Sequence, residues 1–210
     1  MRGDRAIAST PDDVDLARAH QYSFLAGLLR RTPSRDLVSR IGRLAGDESP
    51  LGRAYADLAS AARRTNPNSL NREFTELFVG VGRGEIVPYA SYYMTGFLLE
   101  RPLVKLRGDL AILGLTSAEW LREPEDHIAV LCEIMAGLAS RQFSSMLLTQ
   151  RSFFERHLFS WAPQFFSDLE SAKSARFYRA VAKVGSLFVE IEAQAFAMES
   201  RTSAETIGHP

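Results

Sequence analysis

Apolar residues in this chain recur at steps of three and four, and almost nowhere at steps of two. That spacing is the period of an α-helix and not the alternation of a half-buried strand. Proline, glycine and short polar clusters cut the pattern into segments. The first segment begins at Asp12 or Asp13, where a carboxylate suits the positive end of a helix. It runs through Leu16, Tyr22, Leu25, Leu28 and Leu29 until Pro33 stops it. A second helix is expected over 34–44, with Leu37, Ile41 and Leu44, and a third over 51–63, with Leu51, Tyr55, Leu58 and Ala62. Asn66-Pro67-Asn68 reads as a capping side chain followed by a proline at the first helical position. Leu70, Phe74, Leu77 and Phe78 form the stripe that follows, and Gly80-Val81-Gly82-Arg83-Gly84 breaks it.

Pro102 opens a further helix bearing Leu103, Leu106, Leu110 and Leu113, which Gly114 closes. A helix predicted to start at Pro124 carries Ile128, Leu131, Met135 and Leu138, with Val130 and Ile134 beside them. So wide an apolar arc implies burial on more than one side. Two shorter helices are expected over 150–159 and 164–169. In the last, Phe177, Val181, Val184, Phe188, Ile191, Ala195 and Met198 alternate steps of four and three, an unbroken packing seam. The expectation is an all-α, single-domain helical bundle of about 8–11 helices over residues 11–200. Residues 1–10 and 201–210 are expected to be mobile tails.

Composition narrows the function classes. A chain of 210 residues buries roughly 70% of its unfolded surface, enough for a core of its own. The formal net charge is zero, so no broad basic face offers itself to nucleic acid. Met1-Arg2-Gly3-Asp4-Arg5 lacks a following apolar stretch and is not a secretory signal. No segment reaches the roughly 20 apolar residues of a membrane span. A cytoplasmic protein is expected. The single cysteine, Cys132, lies in a strongly apolar run and reads as a small core residue rather than a reactive thiol.

Three constellations carry chemistry. Gly80-x-Gly82-x-Gly84 follows a helix instead of a strand and lacks a Gly-Lys-Ser/Thr, so it is a poor phosphate loop. The loop goes on through Pro88-Tyr89-Ala90-Ser91-Tyr92-Tyr93, where rigid aromatic side chains suit peptide contact as well as gap filling. Glu123-Pro124-Glu125-Asp126-His127 puts three carboxylates and an imidazole at a loop–helix junction. By chemistry alone they serve first to cap the helix, with Pro124 at its first position, and second to receive arginines. His20, His127, His157 and His209 are scattered and lack the spacing of a helix-borne metal site. No serine sits in a nucleophile-elbow context, so no catalytic residue is assigned. Arg30-Arg31 follows an apolar helix instead of preceding one and reads as a helix C-terminus.

The order of these segments is itself informative. Phe74-Thr75-Glu76-Leu77-Phe78, Gly80-Val81-Gly82, Pro88 to Tyr93, Leu106-Arg107, Gly114-Leu115 and Glu123 to His127 succeed one another. Phe154-Glu155-Arg156-His157-Leu158, Trp161 and Phe177-Tyr178 follow. The sequence from about Leu70 to Ile191 resembles the TorD/DmsD family of redox enzyme maturation chaperones, with Glu-Pro-x-Asp-His as its most specific signal. One departure is Val81, where relatives often have proline between two loop glycines; it loosens the loop and bears on client preference.

The resemblance implies an all-helical, non-enzymatic chaperone of the cytoplasm. It implies binding of the twin-arginine signal peptide of a molybdopterin-dependent oxidoreductase, care of the apoenzyme during cofactor insertion, and prevention of premature export. The twin-arginine translocase and molybdenum-cofactor enzymes are further implied partners. No resident cofactor is implied, although some relatives bind guanine nucleotides or the molybdopterin cofactor weakly. Some exchange helices to dimerise, so a monomer and a helix-swapped dimer both stay open.

The chemistry agrees with that role, because a cationic and apolar leader needs an acidic rim and an apolar groove. The signal-peptide-binding residues expected are Glu123, Pro124, Glu125, Asp126 and His127, with Leu77, Phe78, Pro88, Tyr89, Ser91 and Tyr93 along the groove. Two alternatives are an assembly chaperone for a non-exported molybdoenzyme subunit and a helical metal-dependent phosphohydrolase around Asp126 and His127.

Overall fold

The structure is a computed structural model that describes residues 11–81, 83–115 and 123–207, the last eight of these by backbone alone. Among the described residues there are ten α-helices and no strand. They are α1 (Asp13–Leu29), α2 (Arg35–Ile41), α3 (Pro50–Arg64), α4 (Pro67–Phe74), α5 (Ala90–Thr95), α6 (Arg101–Ile112), α7 (Ile128–Ala139), α8 (Gln150–His157), α9 (Ala162–Ser171) and α10 (Phe177–Ile207). The expected all-α bundle is what the chain forms. Of the two expected tails, 1–10 and 208–210 lie outside the described residues, whereas 201–207 continue helix α10.

The helix starts follow local chemistry. Asp12 accepts the Asp15 N–H at 2.8 Å, Ser34 the Leu37 N–H at 3.2 Å and Ser49 the Gly52 N–H at 2.9 Å. Asn66 and Ser69 cap α4 reciprocally, with Pro67 at the first turn. Each such cap satisfies a backbone donor that the helix itself cannot.

The core is centred on α7, where every residue but Glu133 is buried. Helix α1 lies along it, and α10 packs against α9 and α3. Cys132 is buried here, and burial pushes its thiol up to about 12. The α10 seam departs from expectation after Phe188. Ile191 and Met198 are exposed, whereas Glu192 and Phe196 are buried in their place. A straight helix has 3.6 residues per turn, so a seam with a 3.5 period drifts off the contact face. Glu192 is tolerated inside because Arg18 grips it through two 2.8 Å hydrogen bonds and Tyr22 donates a third at 2.8 Å.

Candidate functional site

Helix α4 does not end at Phe74. It widens into a π-turn over Thr75–Val79, closed by Gly80 at φ 62°, whose N–H reaches Thr75 O at 2.7 Å. The returning chain lies against this turn, with Glu85 N on Glu76 O at 3.1 Å and Ile86 N on Leu77 O at 2.8 Å. Gly84 is required by that approach, since a Cβ there would stand 2.5 Å from Leu77 O. The described glycines thus shape a turn, and the next helix, α5, begins only at Ala90. Gly82 lies outside the described residues.

The loop then meets the acidic segment. Tyr89 and His127 form an isolated antiparallel bridge. Ala90 N donates to Asp126 O at 3.0 Å, and Ile128 N donates to Pro88 O at 2.9 Å. The two segments singled out by sequence are therefore one structural unit.

Capping inside that unit differs from expectation. Pro124 does not open a helix. Pro124 to His127 form a turn closed by His127 N on Pro124 O at 3.1 Å, and α7 starts at Ile128. Its cap is His127, whose Nδ1 accepts the Ala129 N–H at 3.1 Å. The ring must be neutral at Nδ1 to do so. Burial, assisted by the Arg30 charge, lowers the His127 pKa to about 4. Asp126 caps a different helix: its Oδ2 accepts the Ser91 N–H at 2.8 Å, in the first turn of α5. Helix α5 stands where a loop is expected, because its cap comes from 35 residues away.

The remaining expected residues divide by environment. Glu123 is exposed and accepts the Tyr89 hydroxyl hydrogen. Burial, then this hydrogen bond, pushes the Tyr89 hydroxyl pKa up. Glu125 is buried and held by Arg107 through two 3.0 Å hydrogen bonds. Burial alone would raise its carboxyl pKa, yet the Arg107 contacts hold it below the ordinary value. Pro124 is partly buried, and Pro88 and Ser91 are buried. Leu77 is fully buried. Phe78 packs between Phe74 and Tyr178, at ring distances of 5.0 and 5.3 Å. Tyr93 leans toward Trp161 and donates to Asp168 at 3.0 Å. Of the three carboxylates expected to form a rim, only Glu123 reaches solvent.

Beside this junction is an open cavity of about 620 Å³ between α5, α6, α7 and α8. Of the expected residues only Asp126 lines it. Asp126 is 1% exposed, and its second oxygen, Oδ1, is buried without a hydrogen-bond partner. The wall adds Asp109, Arg156 and His157, which sequence reasoning missed. Asp109 takes two hydrogen bonds from Arg156 Nη1, at 3.1 and 3.2 Å, and contacts His157 Nε2 at 2.7 Å. Burial lowers the His157 pKa against the pull of Asp109. The sequence marks only two of the three, Arg156 and His157, within the Phe154–Leu158 segment.

Arg101 and Lys105 also line the cavity and have no charged partner among the described residues. Between Thr95 and Arg101, both in the wall, the chain exposes Phe97, Leu98 and Leu99 at 69%, 51% and 64%. Among the described residues no three His, Cys, Asp or Glu side chains are placed to hold a metal, and no helix is long and apolar enough to cross a membrane.

The junction is thus stitched to a helical scaffold beside an open cavity of mixed lining with an apolar lip. Comparison with known proteins specifies the class. A family model described as nitrate reductase delta subunit matches residues 44–167. The chaperone protein TorD of Vibrio cholerae serotype O1 (El Tor Inaba N16961) is 30% identical over 195 residues, covering 85% of this chain and 81% of its own. TorD of Vibrio parahaemolyticus is 26% identical over 162 residues, covering 70% and 75%. A crystal structure from Archaeoglobus fulgidus, assigned to redox enzyme maturation, shares the fold with a TM-score of 0.56 at 19% identity, over 89% of this chain and 99% of that one. The chain belongs to the TorD/DmsD family of redox enzyme maturation chaperones.

Proposed function

We propose that this chaperone binds the twin-arginine signal peptide of a molybdopterin-dependent oxidoreductase in the cytoplasm, holding the apoenzyme until its cofactor is in place. One observation carries the reading. Asp126 is a buried carboxylate with an unused oxygen at an open cavity, and the loop bounding that cavity exposes three consecutive apolar side chains. An unpaired buried acceptor costs about 1–3 kcal/mol, which a donor on a ligand recovers. A leader peptide brings guanidinium donors and an apolar stretch together. Its backbone carbonyls suit Arg101 and Lys105, which would otherwise disfavour a purely cationic ligand.

Glu123, Pro124, Glu125 and His127, with Leu77, Phe78, Pro88, Tyr89, Ser91 and Tyr93, then act mainly by fixing the junction that holds Asp126. Calorimetric titration with the leader peptide of a molybdoenzyme from the same genome tests the proposal. Saturable binding that Asp126→Asn weakens is expected; absence of binding to every candidate leader overturns it.

A second reading rests on the match to the nitrate reductase delta subunit model. Under it the client is a non-exported molybdoenzyme subunit, and its mature body carries the contact. Deleting the leader from the client separates the two: a leader receptor loses most of its affinity, and an assembly chaperone keeps it.

A further inference from the structure

We infer that a second cavity, between α2, α3 and α4, binds a small organic anion with a carboxylate or phosphate head on an apolar body. The net charge of zero conceals a local imbalance. Residues 30–72 contain nine arginines, no lysine and four carboxylates. Two of those carboxylates are engaged, Asp57 with Lys183 at 2.8 Å and Asp47 with the Ser49 N–H at 2.9 Å.

The cavity has a volume of about 450 Å³, within the range of small-molecule sites. Arg35 and Arg43 enter its wall from α2 and the turn after it, and Arg63 enters from α3. Val38, Ala62 and Leu70 supply apolar wall, and no Asp or Glu lines it. Arg63 Nη1 donates to Gly42 O at 2.8 Å. The Arg35 and Arg43 guanidiniums have no hydrogen-bond or ion-pair partner among the described residues. The N-terminus of α4, at Asn66 and Pro67, adds its positive end to the same wall.

A plainer account is that arginines offset the negative ends of α2 and α3. It fits Arg63, in the last turn of α3, and Arg43, just beyond α2. It does not fit Arg35. That residue is the first of α2, where a cation is disfavoured by about 0.3–1 kcal/mol. A guanidinium held at the wrong end of a helix, open to a cavity without a carboxylate, is matched by an oxyanion. The planar fork can bind such a group through two parallel hydrogen bonds, and the apolar wall covers the rest of the molecule.

Calorimetric titration of the full chain with inorganic pyrophosphate, and separately with citrate, tests this against sodium chloride at matched ionic strength. At least one anion should bind saturably. The double variant Arg35→Gln/Arg43→Gln should bind it about tenfold more weakly or worse, as expected for lost charge-assisted hydrogen bonds. Ser39→Phe, which fills the cavity from α2 and leaves the arginines in place, should weaken it too. Both variants should melt within roughly 2 °C of the parent, as surface changes do. Pyrophosphate alone assigns a phosphate ligand, citrate alone a carboxylate, and binding of both supports the shared oxyanion chemistry. No saturable binding of either overturns the inference. So does a double variant that loses stability but keeps its anion affinity, which returns the arginines to the helix ends.

Discussion

Asp126 and Ser91 are joined by a 2.8 Å hydrogen bond from the Ser91 backbone N–H to Asp126 Oδ2. The same serine accepts the Leu99 N–H on its Oγ at 3.2 Å. One buried residue thus ties the acidic junction to the loop that exposes Phe97, Leu98 and Leu99. The tie permits stability and recognition to be separated at Asp126. Asp126→Ala removes the cap of α5 and should cost about 1–2 kcal/mol in urea unfolding. Asp126→Asn retains an acceptor for Ser91 but turns an amide N–H₂ toward the cavity. It should cost less than about 1 kcal/mol while weakening leader binding about tenfold or more. Equal effects of Asn on folding and binding would reduce Asp126 to a structural cap.

The neutral His127 cap makes folding sensitive to acid. The folded pKa of about 4 lies below the ordinary 6.5, so the unfolded chain binds the extra proton first. The stabilisation is complete above pH 6.5 and declines as the pH falls through about 4, at about 1.4 kcal/mol per pH unit between them. The total is about 3 kcal/mol. His127→Asn keeps a capping oxygen without the titration. Its unfolding free energy should fall much less over the same interval, with the remainder coming in part from His157, whose pKa is also lowered. Parallel pH profiles for the two proteins would exclude His127 as the source.

Glu73 is a second carboxylate that caps a distant helix. Buried in α4, it accepts the N–H groups of Arg176 at 2.7 Å and of Phe177 and Tyr178 at 3.2 and 2.8 Å, where α10 begins. Glu73→Ala leaves these donors unpaired and should destabilise the chain by at least about 2 kcal/mol. Glu73→Gln keeps an acceptor and should cost less. Amide exchange at residues 176–178 should accelerate in the alanine variant before the rest of α10 responds; uniform acceleration along α10 would show that the cap does not act locally.

These long-range caps show what was legible in the sequence. Helices α1 to α4 carry their own caps at Asp12, Ser34, Ser49 and Asn66, and those at Asp12 and Asn66 are legible from local chemistry. Helix α5 takes its cap from Asp126, so nothing beside Tyr89 announced it. The error at Pro124 has the same origin. Proline and acids suit a first helical turn, but here they form the turn before His127, with Glu125 committed to Arg107 and Asp126 to Ser91. That the Tyr89 loop and the acidic segment share one site follows from the rim and groove that a cationic, apolar leader requires. The contribution of Asp109, Arg156 and His157 does not, because it depends on α6 and α8 meeting side by side.

The apolar lip offers the sharpest separation of binding from folding. Phe97 and Leu98 are largely solvent-exposed, so Phe97→Ser and Leu98→Ser should change stability by no more than about 0.5 kcal/mol. Leu99 is less suitable, since it holds φ 63° and anchors the loop through Ser91. Covering an exposed apolar side chain completely is worth about 1.5–3 kcal/mol, so each serine variant should weaken binding of a full leader peptide about tenfold. Against a peptide containing the arginine pair but lacking the apolar stretch, the variants should match the parent. If they bind the full peptide normally, the apolar part of the leader docks elsewhere. If they lose both peptides alike, the loop supports the cavity instead of contacting the leader. The double variant, read against the two singles, then tells whether Phe97 and Leu98 meet one continuous apolar surface, because side chains sharing one contact are not additive.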